Sequence, residues 1–226
     1  MANRWIDPSL AARPGALPAF VSYALRRVGD AANTATEAEI AALHPRTVAT
    51  RRAAFVAGRT ASHAALADLN CDVPSILTGS MREPLWPFGI AGSLSHAGDV
   101  AIAMAAAREH VGGVGVDIEE VRPAPELWDQ VPLPVERRWL EGLADPVERD
   151  RMLVALFSAK EAIYKAFYPR VGHYFGFEAA ALKPTPFGFA ASLVEAIDET
   201  YPPGRPFLVN SAWFGDMVRN WLVLPA

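Results

Sequence analysis

The stretch that most limits what this chain can become runs from Gly112 to Glu120, GGVGVDIEE. Read as a strand, it sends Val114, Val116 and Ile118 to one face and Gly115, Asp117 and Glu119 to the other. The first face suits a core, and the second carries two carboxylates one pleat apart. Acids so placed either stand in water or receive a cation. Like charges on neighbouring same-face positions repel, so a divalent metal ion is the more economical reading.

A second stretch, FSAKEAIYKAFYP from Phe157 to Pro169, reads as a helix. At about 100° per residue, Leu153, Leu156, Phe157, Ile163, Tyr164 and Phe167 line one apolar stripe. Lys160 falls in the middle of that stripe, and Glu161 and Lys165 lie along its edge. A buried ammonium calls for an anion. Each piece alone has a plainer explanation: DIEE as a solvated strand end, Lys160 as a side chain that snorkels to water. Together, and with the basic residues below, they outweigh it.

The 226 residues fit one large domain or two small ones. A chain that is 51% hydrophobic and 20% charged is of the ordinary soluble globular type. A net charge of −4 and a pI near 5.7 argue against a nucleic-acid partner, so an anion site must be a local basic pocket. The first residues, MANRWIDPSLAARPGALP, lack a basic segment followed by an apolar one, and no apolar run reaches membrane-spanning length. The expectation is a cytoplasmic protein with no membrane partner. Cys71 is the one cysteine, which excludes an intrachain disulfide framework and a thiolate metal cluster.

Along the chain, residues 1–18 read as an irregular lead-in, and AFVSYALR as a weak strand. Thr36 with Glu39 three positions on marks a short helix. A longer helix follows over about Thr47–Leu69, closed by Asn70. It carries Arg51, Arg52, Arg59 and His63, with Arg52, Arg59 and His63 spaced to share a side; alone, a solvated basic face is the better reading. Gly58 inside it suggests close approach of backbone or ligand. A Pro-punctuated loop with Trp86 and Phe88 leads to a hairpin, Ile90–Ser95 and Val100–Ala106, turning at Ala97-Gly98-Asp99. His96, at the strand end beside Ser93 and Ser95, is a candidate phosphate donor. REHVGG, residues 108–113, reads as a connector, with the boundary between residues 1–112 and 113–226 inside it. Beyond it come a Pro-rich loop (Arg122–Pro134), a short helix (Val135–Leu143) and the long helix, capped by Asp145 and Pro146 and stopped by Pro169. Phe175–Lys183, Gly188–Ala196, Phe207–Phe214 and Arg219–Leu224 read as strands, with the last turn at Gly215-Asp216.

Asp117, Glu119 and Glu161, with Lys160, Lys165, the arginines and a histidine, match the task of holding Mg²⁺ against a diphosphate. Magnesium takes oxygen ligands and keeps waters and substrate phosphates, so a few carboxylates suffice; the same donors accept Mn²⁺. Zinc spacing, a Walker loop and a dinucleotide fingerprint are all missing.

The pair GVGVDIEE and FSAKEAIYKAF resembles the signature of the 4′-phosphopantetheinyl transferase superfamily, and RRAAFVAGR, REPLWPFGIAGSLSHAGD and GFEAAAL resemble its siderophore-synthesis subgroup. The resemblance runs from about Arg51 to Leu182 and implies an α+β fold of two similar subdomains with the active site in the cleft between them. Residues 1–112 would supply coenzyme A nucleotide contacts and residues 113–226 the metal and catalytic residues. The implied activity is that of a holo-[acyl-carrier-protein] synthase: Mg²⁺-dependent transfer of 4′-phosphopantetheine from coenzyme A to a serine of an acyl or peptidyl carrier protein, releasing 3′,5′-ADP.

Asp117 and Glu119 would be metal ligands, and Glu161 a third ligand or the base for the serine. Lys160 and Lys165 would contact the coenzyme A phosphates, with Lys165 also catalytic. Arg51, Arg59 and His96, with Ser95 beside it, would hold the nucleotide end. Where a basic residue often stands in the GxxxEP loop this chain has Met81, so Arg82 is the candidate substitute. Trp86, Phe88 and the segment from Arg122 are candidates for the carrier rim. A monomer is expected. A non-catalytic carrier-binding module and a metal-dependent phosphodiesterase or nuclease are the competing readings.

Overall fold

In the computed structural model, residues 12–15 and 17–226 are described. The lead-in expected over residues 1–18 lies outside them except for 12–15 and 17–18. The chain divides into two compact units, Met1–Val114 with Pro225–Ala226, and Gly115–Leu224. The architecture is α+β.

In the first unit, β1 (Ser22–Arg27), β2 (Ile90–Ala97) and β3 (Val100–Ala107) form an antiparallel sheet in the order β1-β3-β2. α1 (Glu37–Ile40) begins at Thr36, where the expected capping box is formed: Thr36 Oγ1 accepts from Glu39 N at 3.2 Å, and Glu39 Oε2 accepts from Thr36 N at 2.9 Å. α2 (Ala49–Ala67) starts two residues later than Thr47. Beyond its end Asn70 adopts the left-handed conformation with φ 53°, and Cys71 N donates to Leu66 O at 3.0 Å. Ala61, Ala65 and Leu66 pack with Ala24, Ala103, Ala105, Ile76 and Ile90 in one core. A Cβ at Gly58 would stand 3.5 Å from Leu94 Cδ1, an ordinary contact, so no close approach of backbone is found there. The hairpin turn is Gly98-Asp99 with Gly98 at φ 54°, which places His96 inside β2 opposite Ala101 rather than at the strand end.

The second unit holds β4 from Gly115 onward. β4 as a whole runs Val111–Glu120, so the expected connector ends three residues early. It joins a sheet in the order β4-β8-β7-β6-β5, where β5 is Ala180–Thr185, β6 Gly188–Leu193, β7 Pro206–Phe214 and β8 Met217–Pro225. A helical turn, α3 (Leu127–Gln130), interrupts the Pro-rich loop, and α4 (Pro134–Glu141) follows. α5 (Pro146–Val171) starts as expected, with Asp145 Oδ1 accepting from Val147 N at 2.9 Å.

Pro169 does not stop α5. A proline in the last turn removes only its own N–H, and the helix continues to Gly172, whose φ of 68° turns the chain away. Leu153, Leu156, Ile163 and Phe167 bury their side chains with residues of β5, β6, β7 and β8. β4 is covered on both faces, contrary to the simple alternation of core and solvent. A Cβ at Gly115 would meet Ala162 O at 2.0 Å, so α5 lies against the carboxylate face.

Candidate active site

β4 and α5 bring Asp117, Glu119, Glu161 and Lys165 into one cluster. Asp117 and Glu119 share a face of the strand, and Glu161 and Lys165 stand one helical turn apart. Asp117 is 2% exposed, and its Oδ1 accepts from Lys165 Nζ at 2.5 Å. Burial pushes Glu119 up to about 7; the Asp117 charge adds to this, Lys165 opposes it, Glu161 adds and Arg122 opposes. Burial likewise raises Glu161, with Lys165 opposing and Asp117 adding. Lys165 thus offsets only part of the mutual repulsion, the condition that favours an added cation. The donors are carboxylate oxygens, the chemistry a hard divalent ion takes. Among the described residues, no group of three such donors stands already gathered in a ligating arrangement.

Lys160 is not part of this cluster. It is 2% exposed, donates to Val131 O and Phe177 O at 3.0 Å each, and pairs with Glu136 Oε2 at 2.8 Å. Its three donors are therefore used in the interior, which leaves none turned toward the phosphate contact implied for it. Glu136 is the anion the buried ammonium required. The sequence reading missed it, although Leu133-Pro-Val-Glu136 carries the N-terminal spacing that betrays such a residue, and Glu136 Oε2 does accept from Leu133 N at 2.7 Å.

In the first unit, Arg59 is 4% exposed and lies over Phe55, with its guanidinium carbon 4.7 Å from the ring centroid. It donates to Thr78 Oγ1 at 2.9 Å, while its Nε has no hydrogen-bond partner. Burial lowers its pKa and the Glu39 charge opposes that. Glu39, also missed as a site-shaping residue, is fully buried and accepts from Ile76 N and pairs with His63 Nε2, both at 2.8 Å. His63, one helical turn beyond Arg59, is thereby paired with Glu39, whose charge also reaches Arg59. Arg51 is exposed on α2.

Leu94 faces α2 at Gly58, so His96, two residues on and exposed, leaves β2 on that same face. Ser93 and Ser95 are buried and leave from the opposite face, which separates Ser95 from His96. Arg82 is exposed at the tip of a turn closed by Gly79 N donating to Glu83 O at 2.8 Å, and has φ 67°. Thr78, the partner of Arg59, is bridged to Pro84 across the same turn. Phe88 is fully exposed, whereas Trp86 covers Gly92, where a Cβ would lie 2.2 Å from its ring.

Two family models match the chain in succession: the 4′-phosphopantetheinyl transferase N-terminal domain over residues 38–106, and the 4′-phosphopantetheinyl transferase superfamily over residues 113–200. The chain is 37% identical over 136 residues to 4′-phosphopantetheinyl transferase Npt of Nocardia iowensis, covering 60% of each protein. It is 37% identical over 152 residues to 4′-phosphopantetheinyl transferase Svp of Streptomyces mobaraensis, covering 66% of this chain and 61% of that one. Against enterobactin synthase component D of Salmonella typhi the identity is 39% over 125 residues, covering 54% of this chain and 50% of the other. The matched stretches thus span 50% to 61% of those relatives' lengths. No helix among the described residues is long and apolar enough to cross a membrane. With both family models in sequence order and the acids and lysine of the motif pair gathered on β4 and α5, the chain belongs to the 4′-phosphopantetheinyl transferase superfamily.

Proposed function

We propose that this protein transfers the 4′-phosphopantetheine group from coenzyme A to a serine of an acyl or peptidyl carrier protein, releasing 3′,5′-ADP. The observation that carries the reading is the cluster of buried Asp117 with half-buried Glu119 and Glu161, whose charge Lys165 only partly offsets. The relatives' names support the same activity.

Asp117, Glu119 and Glu161 would hold Mg²⁺, or Mn²⁺ on the same donors, and the bound ion would offset charge on the diphosphate. Lys165 would spread the remaining phosphate charge. Glu161 serves as third ligand or as base. As base it would have to stand off the ion, because a carboxylate bound to a divalent cation holds a proton weakly. In residues 1–112, Arg59 with its unused Nε, Arg51, Arg82 and His96 would receive the nucleotide end and its 3′-phosphate. Ser95 is left out because it leaves β2 on the face opposite His96. Residues 113–226 would supply metal and chemistry. Phe88 is a carrier contact in this reading, and the protein acts as a cytoplasmic monomer.

The test is incubation with coenzyme A, Mg²⁺ and several apo carrier proteins, read by mass spectrometry. A phosphopantetheine-sized gain on the carrier, abolished by a chelator, is expected. No gain with any carrier points to a binding module, and cleavage of coenzyme A without transfer points to a phosphodiesterase. In the same assay, a Glu161→Gln protein at full rate across the pH range would remove both roles given to Glu161.

A further inference from the structure

The ion pair between Lys160 and Glu136 joins more of the second unit than either residue's position suggests. Lys160 Nζ reaches Glu136 Oε2 at 2.8 Å, and the carbonyls of Val131 and Phe177 at 3.0 Å each. Glu136 Oε2 also accepts from Leu133 N at 2.7 Å, and its Oε1 accepts from Leu182 N at 2.8 Å. Lys160 is 2% exposed and Glu136 1%. The two side chains thus tie α5 to α4, to the segment before it, to the 3₁₀ turn Phe177–Ala179 and to β5.

A buried ion pair is a weak source of stability, because desolvation offsets most of the attraction. It does impose geometry. The ammonium keeps its three acceptors at only one rotation and one axial position of α5, and a shift of the helix would leave a charge uncompensated in the interior. The residue two positions along is held as well: Ala162 O lies where a Cβ on Gly115 of β4 would stand, so backbone meets backbone there. Glu161 is between these two fixed points.

We propose that Lys160 and Glu136 are positioning residues that hold Glu161 and Lys165 of α5 in register with Asp117 and Glu119 of β4, and that Lys160 makes no contact with coenzyme A. The proposal rests on the transfer reading above and deepens it. It assigns one lysine of the helix to chemistry, Lys165, and the other to placing the helix. A misplacement of about 1 Å at a reacting group costs on the order of a hundredfold in rate, so the effect of losing the clamp falls on turnover.

The experiment compares Lys160→Met, Glu136→Gln and the double variant with the wild-type chain. For each protein it reads melting temperature, calorimetric coenzyme A affinity, and kcat and KM with an apo carrier. Both single variants are expected to melt lower and to lose kcat about tenfold or more, with coenzyme A affinity within about threefold of wild type. The double variant leaves no lone interior charge. It regains part of the lost melting temperature but not kcat, because a methionine cannot bind the Val131 and Phe177 carbonyls, and it carries the test if a single variant does not fold. A kcat that recovers together with melting temperature overturns the proposal in favour of a purely structural pair. Weakened coenzyme A binding in both proteins lacking Lys160, with Glu136→Gln unaffected, overturns it in favour of ligand contact. A wild-type chain that transfers nothing to any carrier is a different result and removes the transfer reading itself.

Discussion

Lys165 Nζ stands 2.5 Å from Asp117 Oδ1, joining residues 48 positions apart through the packing of α5 on β4. It also offsets part of the charge of Glu161 and, together with Arg122, of Glu119. Replacing it with methionine removes that offset, so both glutamates should titrate higher still. Transfer is expected to fall by about two orders of magnitude, and the acid limb of the pH–rate profile to move to higher pH. A rate profile taken across neutral pH for wild type and Lys165→Met checks both.

Glu119 has an ordinary pKa of 4.5 and is raised to about 7 in the folded chain. Between those values the folded state holds a proton that the unfolded state has released, so this group's contribution to stability falls as pH rises through the interval. Glu161 is shifted in the same direction. Without divalent ions, the chain is expected to melt higher near pH 5.5 than near pH 7.5, and Glu119→Gln should flatten that slope. Added Mg²⁺ should raise the melting temperature more at the higher pH, where the carboxylates are ionised. Scanning calorimetry reads all three.

Gly115 allows the backbone of α5 to touch β4. Gly115→Ala would set a Cβ 2.0 Å from Ala162 O and 2.9 Å from its carbonyl carbon. Backbone cannot swing away as a side chain can, so a loss of about 1–3 kcal/mol or more is expected in denaturant unfolding. Gly58→Ala is the control. Its new methyl would meet a flexible leucine tip at 3.5 Å in a helix interior, and a gain of about 0.5–1 kcal/mol is expected.

Arg59 is held by Thr78 with its Nε unused. In the transfer reading it receives the 3′-phosphate. Arg59→Met should weaken coenzyme A binding about tenfold or more while leaving 3′-dephospho-coenzyme A nearly unaffected. Calorimetric titration with the two ligands decides it, and equal losses would place Arg59 elsewhere in the nucleotide's path.

The elements were legible where a local rule governs them. Thr36 and Glu39 close their box, Asp145 caps α5, and Gly98 and Gly215 take positive φ at the hairpin turns. Pro169 misled because a helix end is decided by which residue can adopt a left-handed conformation, and that was Gly172. His96 and Ser95 looked like neighbours in the chain, yet the pleat sends adjacent side chains to opposite faces.

What the sequence determined on its own is therefore the set of charged groups and their spacing: two acids on alternate positions of a strand, an acid and a lysine one helical turn apart, and another lysine in an apolar stripe. These follow from periodicity, which needs no knowledge of the rest of the chain. Only the tertiary structure decided what each charge does. Lys160 and Lys165 look alike in the motif, but one is sealed against Glu136, Val131 and Phe177 and the other faces Asp117. The fate of an ionised group depends on how much water it loses and on which partner packing brings to it, and those partners lie far away along the chain.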